Sequence, residues 1–195
     1  PHVFSETTEA IRYSMQQMTP IPGFTRIVLE KPFGNDTASC QVLLDALHQQ
    51  KWSESNLFRI DHYLGKEMVQ NILSMRQNNP WLKALWCKEV VQSVHILFKE
   101  PFGTDGRGGY FDPYGMIRDV LQNHLLQILS LVAMEMPTAD PDDAGASSKS
   151  KSEDIRNAKV DVLNNIPAIQ LQDCLLGQYD GYKNDPSIEN RETVT

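Results

Sequence analysis

Nine consecutive residues, Arg59-Ile60-Asp61-His62-Tyr63-Leu64-Gly65-Lys66-Glu67, bring a carboxylate, an imidazole, a phenol, an ammonium and a second carboxylate into one short stretch. These groups can move protons and can hold an anion. The apolar residues Leu57, Phe58 and Ile60 lead in, and the helical spacing of Met68, Val69, Ile72, Leu73 and Met75 leads out. The stretch therefore reads as strand, loop, helix. In open α/β sheets, ligands bind beside the carboxyl ends of strands, where the loops gather. Lys66 falls near a helix start. A helix N-terminus is already partly positive and prefers acids, so a lysine there points to a phosphate or similar anion nearby.

A second candidate is His124. On a helical wheel of about 100° per residue, Asp119, Gln122, Asn123, Gln127 and Ser130 share one arc. Val120, Leu121, Leu125, Ile128, Leu129, Leu131 and Val132 share the other, and His124 falls among them. One reading is a core histidine with a single satisfied hydrogen bond. The other is a partly desolvated imidazole facing a pocket and able to take a proton. Such a base needs a carboxylate to fix its tautomer and stabilise its charged form. Asp119 is close in sequence but lies about 140° away on the same wheel. Asp61 is the candidate in its place. Taken singly, other residues have plain explanations: Asp61 as a helix cap, Tyr63 as half-buried packing, Glu100 before Pro101 as a solvated charge.

The elements that must position these groups follow in order. Residues 6–18 have helical spacing, ended by Pro20-Ile21-Pro22-Gly23. Arg26–Leu29 is a nearly all-apolar run, as in a buried parallel strand, and finishes in Glu30-Lys31-Pro32-Phe33-Gly34. Asn35, Asp36 or Thr37 can cap a helix reaching about Gln50. A second strand spans Leu57–Ile60. Strand, helix, strand predicts a parallel βαβ unit, with Lys31 and Asp61 at the same sheet edge. A helix follows to about Asn79, then a short helical turn over 81–87. Glu89–Glu100 alternates enough to predict a strand of an antiparallel sheet. Gly103–Gly109 is turn-rich but lacks a P-loop ending. A long helix is expected from Met116 to Glu135, a polar Ser/Asp/Pro-rich loop over 138–152, a short charged helix over Glu153–Leu163, and a strand over Cys174–Tyr179.

Bulk properties narrow the partners. The chain has 195 residues, a net charge of −7 and 22% charged residues, so it resembles an ordinary globular protein. No basic stripe or RNA motif is present, which argues against nucleic acid. No apolar run approaches the roughly 18 residues of a membrane span, and the first residues lack a signal-peptide pattern. Cys40, Cys87 and Cys174 are odd in number and show no metal-ligand spacing. They read as reduced thiols, consistent with a cytoplasmic setting, and no metal site is expected. The abrupt start at Pro1 and the β-prone end Glu192–Thr195 read as a piece of a longer protein.

Four blocks then carry a resemblance to one family. Arg59–Glu67, Glu30–Gly34, Phe98–Gly103 with Gly106–Phe111, and Ile117–His124 resemble signatures of the glucose-6-phosphate dehydrogenases, in order and over residues 1–190. The resemblance implies an α/β plus α+β architecture. Residues 1–66 would end a Rossmann-like NADP-binding domain, and 67–195 would begin a β+α domain with a mostly antiparallel sheet. It implies oxidation of C1 of glucose 6-phosphate to the lactone with hydride transfer to NADP, the first oxidative step of the pentose phosphate pathway. It assigns His124 as the base, oriented by Asp61. It assigns His62, Tyr63 and Lys66 to the sugar phosphate, Glu100 and Asp119 to sugar hydroxyls, and Lys31 to the meeting point of substrate and coenzyme. It further implies a homodimer or homotetramer. The family's Gly-rich pyrophosphate turn is not in this sequence and would lie upstream of Pro1, so the isolated chain is expected to be inactive. Two other readings are a non-catalytic sugar-phosphate-binding derivative and a phospho-sugar isomerase or lyase that uses His124 as base.

Overall fold

The computed structural model describes residues 2–17, 24–34, 36–137 and 148–188. The chain forms two units, 1–62 and 63–195.

In the first unit the apolar run becomes β1, Ile27–Glu30. It pairs in parallel with β2, Leu57–Ile60, in the register Ile27↔Leu57 through Glu30↔Ile60. The crossover is α2, Thr37–Gln49. Of the three capping candidates, Asp36 takes the position. Its carboxylate accepts from the Ser39 amide at 2.7 Å, and Ser39 Oγ accepts from the Asp36 amide at 3.1 Å. This reciprocal pair meets two amides that the helix itself leaves unbonded. Helix α1, His2–Gln17, packs on α2. Ile27, Leu29, Leu43, Leu47, Trp52 and Leu57 make the core, each burial worth about 1.5–3 kcal/mol against exposure. Thr8 Oγ1 donates to Gln50 Oε1 at 2.7 Å, and Gln50 Nε2 donates to the Ser5 carbonyl at 3.0 Å, which fixes α1 to the end of α2. The breaker at Pro20–Gly23 lies outside the described residues.

The strand composition predicts burial on both faces, and here the structure differs. β1 buries alternate residues only: Val28 is 60% exposed while Leu29 is 2% exposed. A two-stranded sheet has one covered face, so half of an all-apolar strand is left outside.

In the second unit, α3 spans Glu67–Asn78 and α4 is a single turn, Leu82–Leu85. α5, Gly108–Met116, breaks at Gly115, whose φ of +71° suits glycine. The expected single helix from Met116 is in fact a π-helical segment, Ile117–Leu125, followed by α6, Leu126–Ala133. α7 runs from Ser148 to Asn165, starting earlier than the charged stretch predicted; residues 138–147 of the expected loop lie outside the described residues. Val69, Leu131 and Met134 form the centre of this unit, with Ile72, Leu73, Ile128 and Val162 packed around them.

Arg76 closes the end of α6. It donates to the carbonyls of Leu131 at 2.6 Å, Val132 at 3.2 Å and Met134 at 2.6 Å, and sits 5.3 Å over the Trp86 ring. Trp86 Nε1 donates to the Val132 carbonyl at 2.7 Å. A helix C-terminus leaves its last carbonyls unpaired and partly negative, and a guanidinium fork answers both. Burial lowers the Arg76 pKa and Glu135 opposes that shift.

The expected antiparallel strands are absent among the described residues. Residues 91–100 and 174–179 are extended or irregular without ladder partners, and the sheet of this structure is the parallel β1–β2 pair. A strand exists only through its pairing, and alternation in sequence supplies no partner. Both stretches expose large apolar side chains: Leu97 is 81% exposed and Leu175 is 100% exposed.

The turn-rich stretch after Gly103 is tied to residues 179–188. Asp185 accepts from Thr104 Oγ1 at 2.5 Å, the Gly106 amide at 3.4 Å, and both the amide and hydroxyl of Ser187 at 2.8 and 2.5 Å. These bonds, first those from Ser187 and then that from Thr104, pull its carboxyl from the ordinary 3.8 down to about 2. Tyr182 donates to the buried Asp112 at 2.9 Å. A Cβ on Gly108 would meet Ile188 Cγ1 at 2.2 Å, so backbone and side chain touch here.

Candidate functional site

The parallel register determines what the first unit offers. Glu30 pairs with Ile60, so both strands end together, and Lys31 and Asp61 leave at the same carboxyl edge. Lys31 and Asp61 are partly buried, and His62 is exposed. This is the edge at which open α/β sheets take ligands.

The second unit begins with a turn. The Lys66 amide donates to the Tyr63 carbonyl at 3.1 Å, which reverses the chain before α3. Lys66 occupies the N-cap in an extended conformation without capping through its side chain. Its backbone carbonyl instead accepts from Val69 and Gln70 at 2.9 and 3.0 Å. The ammonium lies 3.7 Å from the centroid of the Tyr63 ring. The same ring stacks on the His124 imidazole at 4.0 Å with 18° between planes. Phe98 meets it at 5.7 Å, tilted by 55°. His124 is 2% exposed.

Lys66, Tyr63 and His124 are thus brought together, as the sequence motifs imply. Glu100 is exposed and Asp119 is partly buried. Asp61, His62 and Lys31 belong to the other unit. Phe98 was missed as a neighbour of the site. The sequence marks it as a strand residue in the alternating run Val94–Phe98 and as the first residue of the block Phe98–Gly103, with no site role.

The π-helical segment corrects the wheel. Its hydrogen bonds run from residue i+5 back to i, as when the Leu126 amide reaches the Leu121 carbonyl. Asp119 and His124 are five apart, so they stand one such turn from each other along the helix. The 140° separation assumed α-geometry and does not hold here. Polar residues on the supposed outer arc are displaced too. Ser130 is 1% exposed and donates to the Leu126 carbonyl at 2.7 Å, and Gln127 Oε1 is buried without a hydrogen-bond partner. Asp119 adds to burial in raising the Tyr110 pKa, so its charge is felt beside that phenol.

Among the described residues no group of three or more His, Cys, Asp or Glu is placed to hold a metal ion. Among them also, no helix is long and apolar enough to cross a membrane. The three cysteines are in no disulfide.

A parallel βαβ unit is followed by a helical unit that buries a histidine, and comparison with known proteins identifies the family. The family model "Glucose-6-phosphate dehydrogenase, NAD binding domain" matches residues 1–71, and "Glucose-6-phosphate dehydrogenase, C-terminal domain" matches residues 73–195. The chain belongs to the glucose-6-phosphate dehydrogenase family. It is 49% identical to glucose-6-phosphate 1-dehydrogenase of Drosophila melanogaster, over 97% of this chain and 36% of that protein. It is 44% identical to the cytoplasmic isoform of Solanum tuberosum, over 100% of this chain and 36% of the relative. A solved structure described as glucose-6-phosphate dehydrogenase in complex with its substrate glucose-6-phosphate superposes with a TM-score of 0.77 at 45% identity, covering 95% of this chain and 38% of that one. The chain therefore spans a little over a third of the length of the relatives it matches.

Proposed function

We propose that the protein carrying this chain oxidises C1 of glucose 6-phosphate to 6-phosphogluconolactone with NADP, the first oxidative step of the pentose phosphate pathway. The observation that carries this reading is the buried His124 imidazole, stacked on Tyr63 beneath the Lys66 ammonium, within the sequence blocks of the family.

Removing hydrogen from an alcohol means removing a proton and a hydride. His124 takes the C1 hydroxyl proton; a positioned base is worth about 10²–10⁴ in rate. Asp61 is the carboxylate assigned by motif to orient it. His62, Tyr63 and Lys66 receive the phosphate, since a dianion favours an ammonium and hydrogen-bond donors. Glu100 and Asp119 accept from sugar hydroxyls, which also disfavours analogues lacking those hydroxyls. When bound, the coenzyme supplies the hydride acceptor. The residues present fit one side of it: Lys31 leaves β1 at the carboxyl edge of a parallel pair, while the pyrophosphate turn is not in this sequence. Residues 1–66 read as the end of the coenzyme domain. Residues 67–195 read as the start of the β+α domain, in which 89–100 and 174–179 become antiparallel strands once paired. A cytoplasmic setting and assembly into a homodimer or homotetramer complete the reading.

The test is NADPH formation from glucose 6-phosphate by a full-length protein that contains this chain, with mannose 6-phosphate as control. Turnover of glucose 6-phosphate far above the control is expected. No NADPH from either sugar overturns the proposal.

A further inference from the structure

We propose that Tyr63 is a positioning residue for His124, acting through its ring as well as through its phenol. The inference rests on the functional reading above and goes further into the same site. The imidazole covers one face of the phenol ring at 4.0 Å and 18°. An ammonium 3.7 Å from the same centroid is sterically confined to the other face. Phe98 closes the edge at 5.7 Å. The ring is therefore held on three sides, and it fixes the plane of a 2% exposed imidazole.

The torsion about the Cβ–Cγ bond of a histidine is broad, so its ring can turn. A flat partner across its face removes this freedom, because aromatic pairs prefer defined offset-stacked or edge-to-face arrangements. The base thus keeps the aim that proton abstraction requires, where small errors of placement are costly in rate. Lys66 shares the ring. A cation over the face of a tyrosine is attracted to its π-cloud, so the group that meets the phosphate and the group that meets C1 rest on one aromatic plate.

The phenol and the ring separate by substitution. Tyr63→Phe keeps the plate and loses the hydroxyl; Tyr63→Leu and Tyr63→Met lose both, with a branched and a flexible side chain respectively. In the full-length protein, Tyr63→Phe is expected to raise KM for glucose 6-phosphate. The two ring-free variants are expected to raise it similarly and also to show a kcat at least tenfold below that of Tyr63→Phe. The spectroscopic partner is the His124 ring-proton resonance, shifted by the Tyr63 ring current in the parent and in Tyr63→Phe, and moved toward unstacked positions in Tyr63→Met. Equal kcat values in the Phe, Leu and Met variants, or His124 resonances that do not differ between Phe and Met variants, overturn the proposal. The resonances decide the stack independently of turnover, so a parent protein that fails to oxidise glucose 6-phosphate sinks the functional reading alone.

Discussion

The planes of the Tyr63 phenol and the His124 imidazole lie 18° apart with their centroids separated by 4.0 Å, although 61 positions of sequence part them (124 − 63). A buried histidine with an aromatic lid is compatible with simple packing. The base role has a sharper consequence. His124→Asn keeps a polar side chain of similar reach but cannot accept a proton. In the full-length protein kcat should fall by at least ~10²-fold, with KM for glucose 6-phosphate little changed. Steady-state kinetics decide the matter, and near-normal turnover removes His124 as the base.

Lys66 should act on binding instead. Lys66→Met keeps the stem over Tyr63 and deletes the charge. Since a hydrogen bond to a charged group is worth about 1.5–3 kcal/mol, KM for glucose 6-phosphate should rise roughly tenfold or more, with a smaller change in kcat. An unaltered KM through the neutral pH range would exclude the phosphate role.

Arg76 makes a prediction about stability that is independent of function. Arg76→Met removes the Arg76 donor from the carbonyls of Leu131 and Met134 and leaves Val132 with its bond from Trp86 alone. A loss of about 2–4 kcal/mol is expected in urea unfolding. Arg76→Lys should recover only part of it, because a single ammonium cannot fork across three acceptors. Equal stability of all three proteins would show that α6 needs no such closure.

Asp185 sets an acid limit for the second unit. Its folded pKa, about 2, lies below the ordinary 3.8. A depressed carboxylate contributes stability above its unfolded pKa and loses it as pH falls through the folded one. The contribution should be complete above about pH 4 and fade toward pH 2. Asp185→Asn should flatten the pH dependence of unfolding in that window, as followed by circular dichroism. The same slope in both proteins would mean that the Thr104 and Ser187 bonds do not distinguish the two charge states.

How far the sequence was legible depends on the range of each signal. The β1–α2–β2 unit was readable because capping at Asp36, the apolar runs and the crossover all act within a few residues of one another. Lys66 at a helix start and His124 in the interior were readable for the same reason. The rest depended on distant partners. Glu89–Glu100 alternates like a strand, but no described residue pairs with it. Asp119 was turned away from His124 by a wheel that assumed α-geometry, and no residue type in Ile117–Leu125 announces a π-helix. The Asp185 cluster had a local hint, since Asp-Pro-Ser favours a turn, but Thr104 is its second anchor and lies 81 positions earlier (185 − 104).

The π-helical segment has a consequence for heredity. Each of its turns carries about one residue more than an α-turn, so the aim of His124 is encoded by how many residues precede it as well as by which ones. Deleting one residue between Ile117 and Leu125 would let the segment relax into an ordinary helix with its backbone bonds remade. The widened turn that sets Asp119 one turn from His124 would be lost, and the residues around the deletion would be re-spaced. Lineages should therefore exchange the apolar side chains of this stretch by volume more readily than Asp119 or His124, and should seldom lose a single in-frame codon from it. The spacing is an inherited trait in its own right, and composition does not record it.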